Sequence, residues 1–135
     1  MINFLFWKRP VETGATEMAK DLFAITNAQS VNVVTLSLPE NIDAVDFDRL
    51  NETLLRALEN TGGTSWVLDM SEVTYMGSAV LGLMVNIRQL IKQRGGKLAL
   101  CGMSDRLIQI FRTCSLERLF TITKTQPEAL AAVKK

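Results

Sequence analysis

The most informative absence from this 135-residue sequence is histidine, which occurs at no position. Histidine is the usual general base near neutral pH, the commonest metal ligand, and the activating base of Ser-His and Cys-His pairs. Its absence disfavours hydrolytic chemistry of these kinds and zinc chemistry. We expect no metal or other cofactor, and no enzymatic activity of these hydrolytic kinds.

Cysteine is also scarce, since Cys101 and Cys114 are the only two. They are too few for a zinc ligand set and do not form a C-x-x-C redox pair. We expect both to be small, buried, hydrophobic side chains with no disulfide between them. Free thiols of this kind indicate a reducing, cytoplasmic compartment.

Neither sign of charge dominates, because 15 Lys and Arg residues accompany 14 Asp and Glu residues. A chain that neutralises many phosphates carries a basic patch, so direct binding to nucleic acid is disfavoured. The apolar stretch at residues 1–7 is too short for a transmembrane segment. Because Lys8 and Arg9 follow this stretch rather than precede it, it is not a signal peptide either.

An apolar content of 47% at this length fits one folded domain. Residues 10–20 are polar and lack a sustained apolar period, so we assign residues 1–20 to a leader or linker and residues 21–135 to the domain. We expect the apolar tip of the leader either to contact a membrane surface, a partner or a second copy in a homodimer, or to pack locally or be disordered.

Hydrophobic periodicity predicts five strands and four helices. The predicted strands cover residues 22–27, 31–38, 66–70, 97–103 and 120–125, and the helices cover residues 45–59, 78–94, the segment after Ser104 or Asp105, and 127–133. Asp43 or Asp46 can cap the first helix, and the apolar run at 66–70 is typical of a central strand. The predicted class is α/β, with a mixed, mostly parallel sheet, an opening β-hairpin and the order β-β-α-β-α-β-α-β-α.

The main candidate site lies between the third strand and the second helix. Ser78 follows a short loop and begins an apolar helix, at the carboxyl end of the sheet where open α/β folds place their sites. Serine is also a good helix N-cap, so a purely structural role is the alternative. The first two turns of the helix that begins at Ser78 are apolar on almost every side, which predicts that they are largely buried. Gly82 would allow a neighbouring element to approach the helix backbone closely.

A series of landmarks extends over most of the chain. The landmarks are Leu68-Asp69, Tyr75-Met76-Gly77-Ser78, Leu81-Gly82, Gly95-Gly96-Lys97-Leu98, Cys101 and the run from Cys114 to Phe120. This arrangement resembles the STAS domain, the family named for sulfate transporters and anti-sigma factor antagonists. The resemblance covers the sequence from about residue 21 to residue 133.

The resemblance to the antagonist branch implies a partner-switching protein rather than an enzyme. In that branch, a serine protein kinase that is itself the anti-sigma factor phosphorylates the serine matching Ser78, and a PP2C-type phosphatase reverses the modification. Only the unphosphorylated form captures the anti-sigma factor and so frees a sigma factor for transcription. The partner-binding residues that the resemblance implies are Asp43, Asp69, Tyr75, Met76, Gly77, Ser78 and Leu81.

Two of these residues have structural alternatives, a helix cap for Asp43 and a strand-end turn for Asp69. The sequence also departs from the Asp-Ser-Ser-Gly or Asp-Ser-Thr-Gly motif of switched antagonists, because Gly77 precedes Ser78 while Ala79 and Val80 follow it. A constitutive scaffold subunit, for example of a membrane transport assembly, is therefore the second hypothesis.

A small-ligand or nucleotide sensor is a third hypothesis with little support, because the sequence lacks a Walker glycine pattern and a G-x-G-x-x-G motif. The acid pairs Glu40 with Asp43 and Asp46 with Asp48 lie at a predicted cap and helix face. Solvation explains such pairs without catalysis.

Overall fold

The computed structural model describes residues 22–134, and the predicted leader at residues 1–20 lies outside them. Within the described part, the chain forms one sheet and four helices. The strands are β1 (Phe23–Ala28), β2 (Val31–Ser37), β3 (Ser65–Glu72), β4 (Lys97–Cys101) and β5 (Thr121–Ile122), and the helices are α1 (Ala44–Asn60), α2 (Ser78–Gln93), α3 (Asp105–Thr113) and α4 (Gln126–Val133). The predicted α/β class and order of elements are confirmed, whereas the boundary at residue 21 stays a prediction.

The five strands lie side by side in the order of the chain, so β3 occupies the predicted central position. β1 and β2 are antiparallel, and each later neighbouring pair is parallel. Gln29 and Ser30 join β1 to β2 with φ of 55° and 69°. Two left-handed residues in a two-residue loop are the geometry that matches the twist of a hairpin.

Successive residues of β3 face opposite sides of the sheet, which explains how one strand is covered on both faces. Leu68 and Met70 belong to the larger core, formed with α1, α2 and α3. Val67 belongs to a smaller core, in which α4 contributes Leu130 and Val133. The nearly continuous apolar sequence of β3 is therefore the consequence of burial from two sides.

Three strands are shorter than predicted. β2 ends one residue early, at Ser37, and the residues that follow β4 and β5 explain the two larger differences. β4 ends at Cys101 because Gly102 turns the chain with φ of 72°. β5 ends at Ile122 because the residues that follow it form the N-terminal cap of α4. The backbone N–H groups of Lys124 and Thr125 donate to the Glu128 carboxylate, and Thr125 caps the helix in a capping box.

α2 buries one stripe and exposes another, which corrects the prediction that its first two turns are largely buried. Val80, Leu83 and Met84 are buried, whereas Ala79 and Gly82 are exposed. A Cβ atom added at Gly82 would meet nothing within 4 Å. The expected close backbone approach at Gly82 is therefore wrong for the described residues, because the glycine points away from the sheet.

Two glycine substitutions give a matched test of this fold. Gly102→Ala should lower the free energy of unfolding by about 2 kcal/mol or more, because its φ is left-handed and a Cβ would lie 3.1 Å from Asp69 Oδ1 and from Ser71 N. Gly82→Ala should raise it by about 0.8 kcal/mol, since alanine is the better helix former in open space. Urea denaturation of both variants measures the two changes, and a loss at Gly82 equal to that at Gly102 would contradict the placement of α2.

Candidate functional site

The candidate site lies at the edge of the sheet where the parallel strands end. α1, α2 and α3 follow β2, β3 and β4, so all three helices begin at this edge. The loop from β3 to α2 is held from below by Val73 and Met76, which are both buried. The Val73 N–H also donates to the Met70 carbonyl at 3.0 Å. The buried loop residues therefore fix the start of α2 against the core.

Ser78 is the first residue of α2 and is exposed to solvent. The N-cap is Gly77, with φ of −83° and ψ of 179°, and it provides no side-chain cap. The alternative that Ser78 caps the helix is therefore wrong. Its hydroxyl has no hydrogen-bond partner among residues 22–134, so the oxygen is available for chemistry from solvent.

The first turn of α2 favours negative charge. It contains no acidic residue, and the first helical hydrogen bond runs from the Leu81 N–H to the Gly77 carbonyl at 3.0 Å. The N–H groups of Ser78, Ala79 and Val80 precede that bond and receive no side-chain cap from residue 77. Such a helix start carries roughly half a positive charge and readily accepts an anion.

Three polar contacts join the loops around Tyr75, which is half-buried. The Arg106 guanidinium carbon lies 5.1 Å from the centre of the Tyr75 ring, within the range of a cation–π contact. Arg106 Nη1 also lies 3.2 Å from Glu40 Oε2, and the Thr74 hydroxyl donates to the same oxygen at 3.2 Å. The start of α3 and the β2–α1 loop are thereby linked to the loop before Ser78.

The structure separates the implied partner-binding residues by exposure. Ser78 and Asp43 are exposed, and Tyr75 and Gly77 are half-buried. Met76 and Leu81 are buried and pack in the larger core. The exposed and half-buried members offer surface to a partner, while the two buried members support that surface from beneath.

The two acidic residues perform their structural alternatives. Asp43 caps α1, because its carboxylate accepts from the Asp46 N–H at 2.8 Å. Asp69 accepts from the Ser71 N–H at 3.0 Å and from the Gln126 side chain at 3.1 Å, so it forms the strand-end turn and ties β3 to α4. Partner binding by either residue stays a prediction.

Sequence reasoning missed the contacts of Arg106 and the exposed small residues after Ser78. Glu40 is exposed, as expected of a solvated acid, but it also pairs with Arg106 across 66 positions of the chain. No local motif reports such a distant pair. The sequence around Gly82 does not indicate that this residue is exposed either, since a glycine within an apolar run is equally compatible with a buried helix contact.

The two thiols differ, which corrects the expectation that both are buried. Cys101 is buried in the smaller core, whereas Cys114 ends α3 and is exposed. Burial raises the pKa of the Cys101 thiol to about 11, and the negative charge of Asp69 acts in the same direction. Cys101 is therefore protonated near neutral pH, and it reacts slowly because the thiolate is the nucleophile.

Two other features are absent from the described part of the chain. Residues 22–134 hold no group of three or more Cys, Asp and Glu residues that could bind a metal ion. No helix in this part is long and apolar enough to cross a membrane.

Comparison with known proteins places the chain in a family. The STAS domain profile matches residues 24–129, and the chain belongs to the STAS domain family. It is 30% identical over 95 residues to the anti-sigma-B factor antagonist of Bacillus subtilis (strain 168), an alignment that covers 70% of this chain and 85% of that protein.

Solved structures share the fold at lower sequence identity. An anti-sigma-factor antagonist (STAS) domain protein from Planctomyces limnophilus aligns with a TM-score of 0.72 at 21% identity, covering 84% of this chain and 98% of that one. The Bacillus cell fate determinant SpoIIAA in its phosphorylated form aligns with a TM-score of 0.60 at 17% identity, covering 83% and 99%. Both comparisons concern the fold.

The contrast between the thiols is directly measurable. With a disulfide reagent at pH 8, the native chain should release one equivalent of product rapidly, from Cys114, and a second only in denaturant. Cys114→Ser should abolish the rapid reaction and leave only the reaction in denaturant. Rapid reaction of two thiols in the native wild-type chain would contradict the burial of Cys101.

Proposed function

We propose that this chain is an anti-sigma factor antagonist that captures a regulatory serine kinase, itself the anti-sigma factor, and is released by phosphorylation of Ser78. A PP2C-type phosphatase restores the capturing form. The chain acts in the cytoplasm as a binding protein without catalytic activity of its own. The observation that carries this proposal is the exposed, unpartnered Ser78 hydroxyl at the uncapped start of α2.

Access to a kinase supports the proposal. Ser78 begins its helix at the surface, and the next residue, Ala79, is also exposed and small. A kinase needs the hydroxyl oxygen to approach the γ-phosphate of ATP in line, which a buried or hydrogen-bonded serine resists. The hydroxyl meets this requirement without local unfolding of the loop.

The electrostatics of α2 support a stable phosphorylated form. A phosphoryl group adds about −1.5 to −2 charges near neutral pH. The uncapped N–H groups and the helix dipole would attract this charge, by about 0.3–1 kcal/mol at an exposed site. Phosphorylation therefore changes the surface charge and leaves the fold in place.

The composition of the exposed face explains how that charge would release a partner. The exposed face of α2 near its start carries no charge. It consists of Ser78, Ala79, Gly82 and Asn86. A partner packed closely on this face would have to strip water from the phosphoryl group. A loss of about 3 kcal/mol lowers affinity by more than a hundredfold, which is enough for a switch.

A constitutive scaffold subunit, for example of a membrane transport assembly, is the second candidate because of residue 77. The backbone at Gly77 does not require glycine, since its φ is −83° and an added Cβ would have 4.0 Å of clearance from the Tyr75 ring. The acidic residue of switched antagonists would thus fit there, so its absence is a property of the surface rather than of the fold. A scaffold that is never phosphorylated does not require this acidic residue.

Phosphorylation by the cognate kinase tests the proposal. With ATP, wild type should gain one phosphoryl group, as measured by intact mass, and Ser78→Ala should gain none. Ser115→Ala is the matched control, because Ser115 is also exposed and its hydroxyl has no hydrogen-bond partner among residues 22–134; it should be phosphorylated like wild type. Ser78→Asp should bind the kinase at least about tenfold more weakly than Ser78→Ala, because it places negative charge on the docking face.

The two candidate functions predict different results. Unchanged partner capture by Ser78→Asp, together with no phosphorylation by a kinase shown to bind the chain, would reject the switch and favour the scaffold. Phosphorylation at another residue would reject the assignment to Ser78.

A further inference from the structure

A concave site lies at the opposite edge of the sheet from Ser78. A cavity of about 240 Å³ opens where α2 and α4 end and where β4 and β5 begin. Arg88 at the cavity lies ten positions after Ser78 in α2, which corresponds to about 15 Å along the helix. The cavity is therefore distinct from the proposed phosphorylation site.

The lining of the cavity combines one sign of charge with an apolar floor. Its described lining includes three cationic and no acidic side chains. The residues that characterise it are Arg88, Lys92, Lys97, Leu98, Phe120 and Val133. Such a mixture suits a ligand that has a negatively charged group and a small apolar body.

The ends of two helices reduce this positive charge without cancelling it. α2 ends at Gln93 and α4 ends at Val133, and each helix C-terminus contributes roughly half a negative charge. Arg88 and Lys92 alone outweigh two such contributions, because together they carry two positive charges. The helix ends therefore explain some of the cations, and a positive excess remains to attract an anion.

Arg88 is held in position at the rim. Its Nε donates to the Leu119 carbonyl at 2.6 Å. This bond leaves both Nη groups without a hydrogen-bond partner among residues 22–134. A guanidinium that is already oriented loses less conformational freedom when it binds a carboxylate.

We propose that this cavity binds a small organic monocarboxylate, with the carboxylate at Arg88 and Lys92 and the hydrocarbon body against Leu98 and Phe120. The apolar floor favours such a ligand over inorganic phosphate, which has no surface to bury there. The volume lies below the range of about 300–1,000 Å³ that is typical of drug-sized ligands, which restricts the body to a few carbon atoms. This site goes beyond the proposed function and does not depend on it.

Titration of the full ¹⁵N-labelled chain with hexanoate, followed by NMR, tests the proposal. Backbone amides of residues 96–98 and 119–121 should shift and saturate with a Kd of about 1 mM or tighter. Hexanol, which lacks the charge, and inorganic phosphate, which lacks the apolar body, should each bind at least about tenfold more weakly. Shifts that scatter over the surface or fail to saturate would overturn the proposal.

Variants separate this site from general charge effects. Lys92→Gln should weaken hexanoate binding about fivefold or more, because Lys92 lines the cavity and is exposed, so its replacement leaves the core intact. Lys124→Gln, which removes an exposed lysine beyond β5, should leave the Kd unchanged. Equal weakening by both variants would mean that hexanoate responds only to the net charge of the chain, and it would overturn the proposed site. Ser78→Asp should also leave hexanoate binding unchanged, so this test is independent of the phosphorylation proposal.

Discussion

Burial of one stripe of α2 is the constraint on which the candidate site depends. Leu83, Met84 and Ile87 are buried in the larger core, and each such side chain contributes about 1.5–3 kcal/mol relative to an exposed one. An exposed charge at a helix start contributes only about 0.3–1 kcal/mol. A phosphoryl group on Ser78 would therefore be too weak to move the helix, and it would act on whatever contacts the exposed stripe.

The alternation of β3 places the neighbouring polar groups in different roles. Asp69 follows Val67 on the side of α4 and holds Gln126, while Leu68 and Met70 face the helices that include α2. Asp69 thus stabilises the edge of the sheet on one face, and Ser78 lies at the start of a helix on the other. A stable edge beneath an exposed hydroxyl suits a switch that changes charge and leaves the fold intact.

Periodicity and composition were sufficient to predict the order of elements, the central strand and the loop that holds Ser78, since these follow from patterns within a few residues. The ends of β4 and β5 were missed because they depend on Gly102 and on the contact of Glu128 with Lys124 and Thr125. The cap at Gly77 could not be predicted either, because serine at a helix start is usually the cap itself. Contacts between distant residues, such as Arg106 with Tyr75, leave no local pattern.

The central claim is that phosphorylation of Ser78 changes docking without changing the fold. Hydrogen exchange of the α2 amides and affinity for the anti-sigma factor, both measured on one fully phosphorylated sample, test it most directly. We predict that protection of the amides at residues 83–91 stays within about threefold of the unmodified chain while affinity falls at least about a hundredfold. Loss of that protection, or unchanged affinity, would contradict the account.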